Sequence, residues 1–291
     1  MRKILVLTDF SDNAAKASEL AVEFGKKLNA NVLLFNSYGK FPTVASYAGG
    51  SWAIDESGIK QVASKDHLAL IAEDIQNLYN EAGRDADMPT ITYLSEEGEL
   101  GNNVNEISKD RDIELILMGA HDINVHDHRL FGSDTKSVLR KATRPIFIVP
   151  STFDLDRLNK VVFATDFGYD DIAAVKYLVK LAKLFNFRLD VIHVAEYKKH
   201  EDEPNEDEIR FINDLNKLDP VIVSYQLIKG KHVVNRLADF LKETGAGILA
   251  MVHQQETFIV DMLRESTTRK VISYPNIPLM IFPSKMMEHV S

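Results

Sequence analysis

Short apolar runs alternate along the chain with segments whose apolar residues recur every three or four positions. Residues 3–8 form the first run, the pattern of a strand covered on both faces. Ser11 can cap the helix that follows. Ala14, Ala17, Leu20, Ala21, Phe24 and Leu28 then line one helical face. Residues 31–36 read as a second strand. Residues 57–82 read as a long helix through Ile59, Val62, Leu68, Ile71, Ile75, Leu78 and Tyr79, stopped by Gly83. A third strand is expected at 90–94, a helix near 101–111 and a strand at 113–118. A helix at 133–143 and a last strand at 145–149 complete the series. Further strands are expected near 160–165, 188–194, 220–227, 247–252 and 278–282.

The pattern repeats once. Residues 3–11, Lys-Ile-Leu-Val-Leu-Thr-Asp-Phe-Ser, recur as 160–168, Lys-Val-Val-Phe-Ala-Thr-Asp-Phe-Gly, at an offset of 157. The same offset carries 31–37 onto 188–194. Residues 114–118 align with 247–251 and residues 144–150 with 277–283, both at an offset of 133. The second copy is therefore 24 residues shorter between these blocks, and a Gly/Ser/Tyr-containing insertion at 39–62 accounts for most of the difference. Four matches in one order are poorly explained by chance. Five strands alternating with helices in each copy predict an α/β fold: two tandem, doubly wound domains, 1–150 and 158–284, each on a parallel five-stranded sheet. The strand pattern breaks between them at 151–158. Ligands in such sheets sit beyond the carboxyl ends of the strands, near the point where the strand order reverses.

Composition narrows the function classes. The 291 residues are 45% hydrophobic and 26% charged, ordinary for a globular protein. The absence of cysteine removes disulfides, thiolate metal sites and cysteine nucleophiles, and fits a reducing compartment. The net charge is −9, with 16 basic against 22 acidic residues in 1–150 and 18 against 21 in the remainder. Neither half has the basic footprint of a nucleic-acid binder or a polybasic lipid-binding tail. No apolar run approaches a membrane span, and the four apolar residues before Thr8-Asp9 are too few for a secretory signal. A cytoplasmic protein without nucleic-acid or membrane partners is expected.

The loop after the fourth strand carries the candidate chemistry. Met118-Gly119-Ala120-His121-Asp122 is followed, nine residues on, by Gly132-Ser133 at the start of a helix. Gly119 lacks a Cβ, so a ligand can approach its backbone. A helix N-terminus suits an anion through its free N–H groups and dipole, and the Ser133 hydroxyl adds a donor. Asp9 ends the first strand, placed to accept from a ribose or base.

Here the sequence resembles the universal stress protein family. The family's nucleotide pattern is glycine, two residues, glycine, nine residues, then glycine and Ser/Thr; Gly119, Gly132 and Ser133 stand at those spacings. The resemblance includes 7–11, Leu-Thr-Asp-Phe-Ser, and 144–149, Arg-Pro-Ile-Phe-Ile-Val, and covers essentially the whole chain twice. It implies an adenine nucleotide alpha hydrolase-like, Rossmann-like fold that binds ATP or AMP. By the resemblance, Asp9 contacts base or ribose, and Thr8 beside it is counted among the cofactor-binding residues. Ser37 contacts the base through its backbone, and Gly119, Gly132 and Ser133 hold phosphates. Met118 and His121 line the same pocket. The two copies are expected to pair as an intrachain pseudo-dimer through their last strands, and such a chain can dimerise again.

Asp122 departs from the pattern's second glycine. A carboxylate near a triphosphate costs about 1 kcal/mol at 4 Å in water, and more where water is excluded. Alternatively, Asp122 ligates Mg²⁺ on the phosphates. The second copy has lost more. Val252 replaces Gly119, Gln255 stands at the Asp122 position and Glu265 replaces Gly132, while Asp166 and Ser266 persist. Glu265 puts negative charge at the phosphate end, partly offset by Arg264 and Arg269. Nucleotide binding is therefore expected in the N-terminal half only.

Other features read more plainly. His121, Asp122, His126, Asp127 and His128 crowd one loop but are read as solvated loop residues, not a metal site. Trp52, Tyr47 and the Gly49-Gly50 pair are read as packing over their own domain. The acidic run 201–208 is read as a solvated loop and an acidic helix start. No nucleophile elbow, Walker lysine motif or zinc-hydrolase helix occurs, so no catalytic residue is assigned and any ATP hydrolysis would be slow. Two function classes stay open. One is a stress-responsive module in which nucleotide orders the loop 119–132 and alters a surface offered to a protein partner. The other is a nucleotide-independent interaction scaffold with both pockets degenerate.

Overall fold

The computed structural model describes residues 1–39, 56–81, 88–110, 112–120, 133–195, 204–253 and 277–284. The first half runs β1 (Lys3–Leu7), α1 (Asp12–Leu28), β2 (Asn31–Tyr38), α2 (Glu56–Glu81), β3 (Ile91–Glu97), α3 (Leu100–Ser108), β4 (Ile113–Gly119), α4 (Ser133–Lys141) and β5 (Ile146–Val149). The second runs β6 (Lys160–Ala164), α5 (Asp171–Phe185), β7 (Arg188–Ala195), α6 (Glu206–Leu215), β8 (Val223–Lys229), α7 (Val233–Thr244), β9 (Ile248–His253) and β10 (Leu279–Pro283). The strands form one ten-stranded sheet in the order β3-β2-β1-β4-β5-β10-β9-β6-β7-β8. Every pairing is parallel except the central one, β5 against β10. The two halves thus have the same strand order and join, as expected, through their last strands.

Alternation along each strand divides the core into two layers. Ile4, Val6, Leu115, Leu117, Phe147 and Val149 face a layer shared with α1, α2, α5 and α6. Leu5, Leu7, Ile116, Met118, Ile146 and Ile148 face the opposite layer, with α3, α4 and α7. Burial on both faces explains why the central strands read as unbroken apolar runs. Arg144 is buried and donates to the carbonyls of Ser108 and Asp110, both at 3.2 Å. A cation there satisfies the free carbonyls ending α3 and complements the helix dipole.

Several boundaries differ from the sequence reading. β3 extends to Glu97 because Ser95, Glu96 and Glu97 pair with β2 although their side chains are polar. β8 begins at Val223, not at 220. Asp219 accepts from the Val221 N–H in a turn, and Val221 is exposed. Helices α3 and α4 end at Ser108 and Lys141, earlier than their apolar spacing suggested. Along α2, Leu68 and Ile75 are buried as expected, but Ile59, Val62 and Leu78 are exposed. That helix covers only the edge of the sheet, so a narrower stripe meets the core. Gly83, Tyr47, Gly49, Gly50 and Trp52 lie outside the described residues. The acidic run does open a helix: Asn205 caps α6 by accepting from the Glu208 N–H, and Glu206, Asp207 and Glu208 fill its first turn. The stretch between the halves is docked, since Phe153 is buried edge-on against Phe147 at 5.7 Å.

Candidate functional site

The strand order places β1 beside β4 in the first half, paired Leu7 to Met118. The chain leaving β1 enters α1 in one layer, and α4, which follows β4, lies in the other. Connections that diverge from neighbouring strands leave a crevice at their carboxyl ends, the usual ligand position in such sheets. Thr8 and Asp9 follow β1, Met118 and Gly119 end β4, and Ser37 sits near the end of β2 on the far side of β1. Three neighbouring strands therefore bring these five residues to one end of the sheet. Ser133 is the exposed first residue of α4, its hydroxyl 3.5 Å from the Asp134 carboxylate. His121, Asp122 and Gly132 lie outside the described residues, as do His126, Asp127 and His128. Among the described residues no cluster of three or more His, Asp or Glu could hold a metal.

The turn after β1 is built from its own side chains. Phe10 has φ +67°, a left-handed conformation that a bulky residue adopts only when held. Thr8 Oγ1 accepts from the Phe10 N–H at 3.0 Å. Asp9 Oδ1 accepts from the Ser11 N–H at 3.1 Å and from its hydroxyl at 2.6 Å. Ser11 in turn accepts from the Ala14 N–H and caps α1. Thr8 and Asp9 thus fix the entry to α1. Asp9 Oδ2 accepts no hydrogen bond among the described residues, and the residue is exposed.

Beneath the turn lies a buried polar chain that apolar periodicity does not reveal. Asn36 donates to the Thr8 carbonyl at 2.7 Å. Its Oδ1 accepts from the Ser64 hydroxyl at 2.8 Å, and Ser64 meets the Ser95 hydroxyl at 2.6 Å. All three side chains are buried, and a satisfied buried network holds one arrangement. Ser37 donates to the Gly98 carbonyl and accepts from Asn103, tying the end of β2 to the start of α3.

Gly119 has a packing reason for being glycine. A Cβ there would lie 2.6 Å from the Ala14 nitrogen and the Asn13 carbonyl carbon. Asn13, also missed by the sequence reading, donates to the Ala120 carbonyl and accepts from the Ser151 N–H. It pins the first turn of α1 to the ends of β4 and β5. On the opposite layer, Glu99 caps α3 through the N–H groups of Gly101 and Asn102. It also binds the Ser137 hydroxyl and Lys141 of α4, the latter at 2.6 Å. These partners, Lys141 and Ser137 foremost, pull its carboxyl down to about 2.

The second half repeats the scaffold with different contents. Phe167 has φ +66° and its N–H is accepted by Thr165 Oγ1 at 2.9 Å. His193 stands where Asn36 does and meets the Thr165 carbonyl through Nδ1 at 2.9 Å, which fixes the proton on that nitrogen. Phe167 is only 5% exposed, against 40% for Phe10, because it stacks on His193 and packs against Phe211. Asp171 is buried at the start of α5, bonded to Thr165 at 2.5 Å. Burial first, then the Asp166 charge, pushes its carboxyl up to about 6 against the pull of the Thr165 bond. Val252 ends up near the close of β9 in the position matching Gly119, and His253 beside it has a buried Nδ1 with no hydrogen-bond partner among the described residues. Burial lowers that imidazole's pKa. Gln255, Arg264, Glu265, Ser266 and Arg269 lie outside the described residues.

Comparison with known proteins returns one family twice. The universal stress protein family model matches residues 1–150 and again 157–283. A universal stress protein of Methanocaldococcus jannaschii is 25% identical over 150 residues, covering 51% of this chain and 81% of its own. The stress response protein NhaX of Bacillus subtilis is 24% identical over 165 residues, covering 50% of this chain and 96% of its own. The crystal structure of a universal stress protein from Archaeoglobus fulgidus superposes with a TM-score of 0.70 at 19% identity, covering 97% of this chain and 98% of that one.

Proposed function

The chain belongs to the universal stress protein family, and from that premise we propose that it is a two-domain nucleotide-responsive regulator. Domain 1, residues 1–150, binds ATP or AMP; domain 2, residues 158–284, carries a degenerate site and completes the pseudo-dimer. The crevice between β1 and β4 supports the reading: Asp9 follows β1, whose neighbour is β4, on a turn held by Thr8 and Asn36. A pre-organised carboxylate suits a ribose hydroxyl or an exocyclic amine, since nothing must be ordered on binding. Ser133 and the N–H groups opening α4 suit the phosphates. Nucleotide occupancy then biases the conformation offered to a protein partner in the cytoplasm. The reading includes no catalytic residue.

Calorimetric titration with ATP and AMP, with and without Mg²⁺, tests this. A site in domain 1 is expected, weakened about tenfold or more in Asp9→Asn, equivalent to roughly 1.4 kcal/mol. Dependence on Mg²⁺ would support Asp122 as a metal ligand. A specific observation favours the scaffold alternative: Thr8, Asp9 and Gly119 each have a structural use within the first half. Absence of heat, joined by no thermal shift at millimolar nucleotide, would establish that alternative.

A further inference from the structure

The amino end of β1, opposite the crevice, opens on a groove of about 560 Å³ where the two halves meet. Arg2, Lys27, Lys176, Lys180 and Lys183 line it, five cations in a chain of net charge −9. Lys176, Lys180 and Lys183 stand at i, i+4 and i+7 on α5, so they form one exposed stripe. Lys27 comes from the last turn of α1, and Arg2 precedes β1. Phe24 of α1 packs against Phe185 of α5, ring centroids 4.4 Å apart and planes tilted by 34°.

Glu114 pairs with Lys180 at 2.6 Å. Arg2, Lys27, Lys176 and Lys183 have no carboxylate within 4 Å among the described residues. Like charges at such spacings destabilise a helix, so a feature other than helix stability accounts for the stripe. The repeat does not account for it either. At the offset of 157, α1 carries Glu19 and Glu23 where α5 carries Lys176 and Lys180, and Asn159 stands where Arg2 does. In α1 those acids are paired, Glu19 with Lys16 and Glu23 with Lys26. Lys183 alone has a basic counterpart, Lys26, which pairs with Glu23; the other four cations have none across the pseudo-twofold axis. Leu28, Val179 and Leu184 also line the groove, and an apolar lining strengthens charge interactions.

We propose that this groove binds a small polyanion bearing two or more linked phosphates, seated across α1 of the first half and α5 of the second. Lys176 also feels Asp214 at longer range, and the cations come from both α1 and α5, which suits a chain of linked phosphates better than a single one. The site is separate from the crevice by at least the length of β1, roughly 16 Å. Bound there, the ligand would brace the two halves against each other.

Titration of the full chain with inorganic tripolyphosphate, and separately with orthophosphate, tests the proposal. Tripolyphosphate should bind one site at least tenfold more tightly than orthophosphate, weaken at least tenfold between 50 and 300 mM salt (approximate settings for screening), and raise the melting temperature. The Lys176→Glu/Lys183→Glu variant should lose at least thirtyfold in affinity and lose the ligand-induced thermal shift, while its ligand-free melting temperature holds or rises. Ser133→Glu, which puts negative charge at the crevice's phosphate end, should bind tripolyphosphate as the unaltered chain does. Equal affinity in the double variant, equal affinity for the two phosphates, or loss in Ser133→Glu instead would overturn it.

Discussion

Phe10 and Phe167 share a left-handed backbone at equivalent places, each secured by the threonine two residues before it. The motif Thr-Asp-Phe is therefore a turn specification in its own right. Gly119 is the second case, its missing Cβ leaving room for the first turn of α1. Gly119→Ala should lower stability by about 1–3 kcal/mol whether or not nucleotide is present; an unchanged melting temperature would mean that α1 yields at that contact. Asp171 makes the opposite kind of demand. Its carboxyl is raised from 3.8 to about 6, so the folded state takes up the proton more readily than the unfolded chain. Its charge is therefore no burden below about pH 4, becomes one as pH rises through 6, and stays one above. Asp171→Asn, which can still meet Thr165, should stabilise the protein by about 1–3 kcal/mol at pH 7.5 and hardly at all at pH 4. Thermal melts at the two pH values decide it, and equal gains at both would refute the linkage.

Helices α3 and α4 are coupled through Glu99, which caps one and grips the other. Because α4 begins at Ser133, that coupling sets where the candidate phosphate end stands. Glu99→Ala should cost about 1–2 kcal/mol at neutral pH, the usual loss of a cap. In the unaltered chain the Glu99 contribution should be complete above about pH 4.5 and fade as pH falls toward 2, since its carboxyl is held down in the fold. A Glu99→Ala melt that tracks the parent at pH 7 would show the contact to be slack. At this scale the sequence was most legible where burial is two-sided. The central strands read as apolar runs because both layers cover them. Edge elements were harder: β3 and β8 face solvent on part of their surface, so their polar ends and exposed Val221 misled the boundaries. In the candidate site, Thr8, Asp9 and Ser37 were nominated by the family motif, and the fold brings them to one end of the sheet. Asn13, Asn36 and Ser64 were missed, since a buried polar residue shows its partner only once the chain is folded.

The whole molecule turns on four residues of β5, Ile146–Val149, all buried against β10 and the two layers. A fragment ending at residue 157 would expose that edge and should pair with itself, running as a dimer in light scattering; a monomer at tens of micromolar would speak against a seam driven by these residues. The seam also has a centre. Phe147 lies opposite Met280, its own equivalent at the offset of 133, while Ile146 faces Ile281 and Ile148 faces Leu279. Phe147 and Met280 therefore straddle the pseudo-twofold axis. In an assembly of two identical subunits, whatever stands on such an axis must meet a copy of itself, and every substitution is made on both sides at once. A bulky ring could then never face a pliant thioether. Fusion into one polypeptide lifts that rule. Each side of the axis is free to change alone, so knob and hole, or reader and support, can be allotted to different stretches of a single gene product.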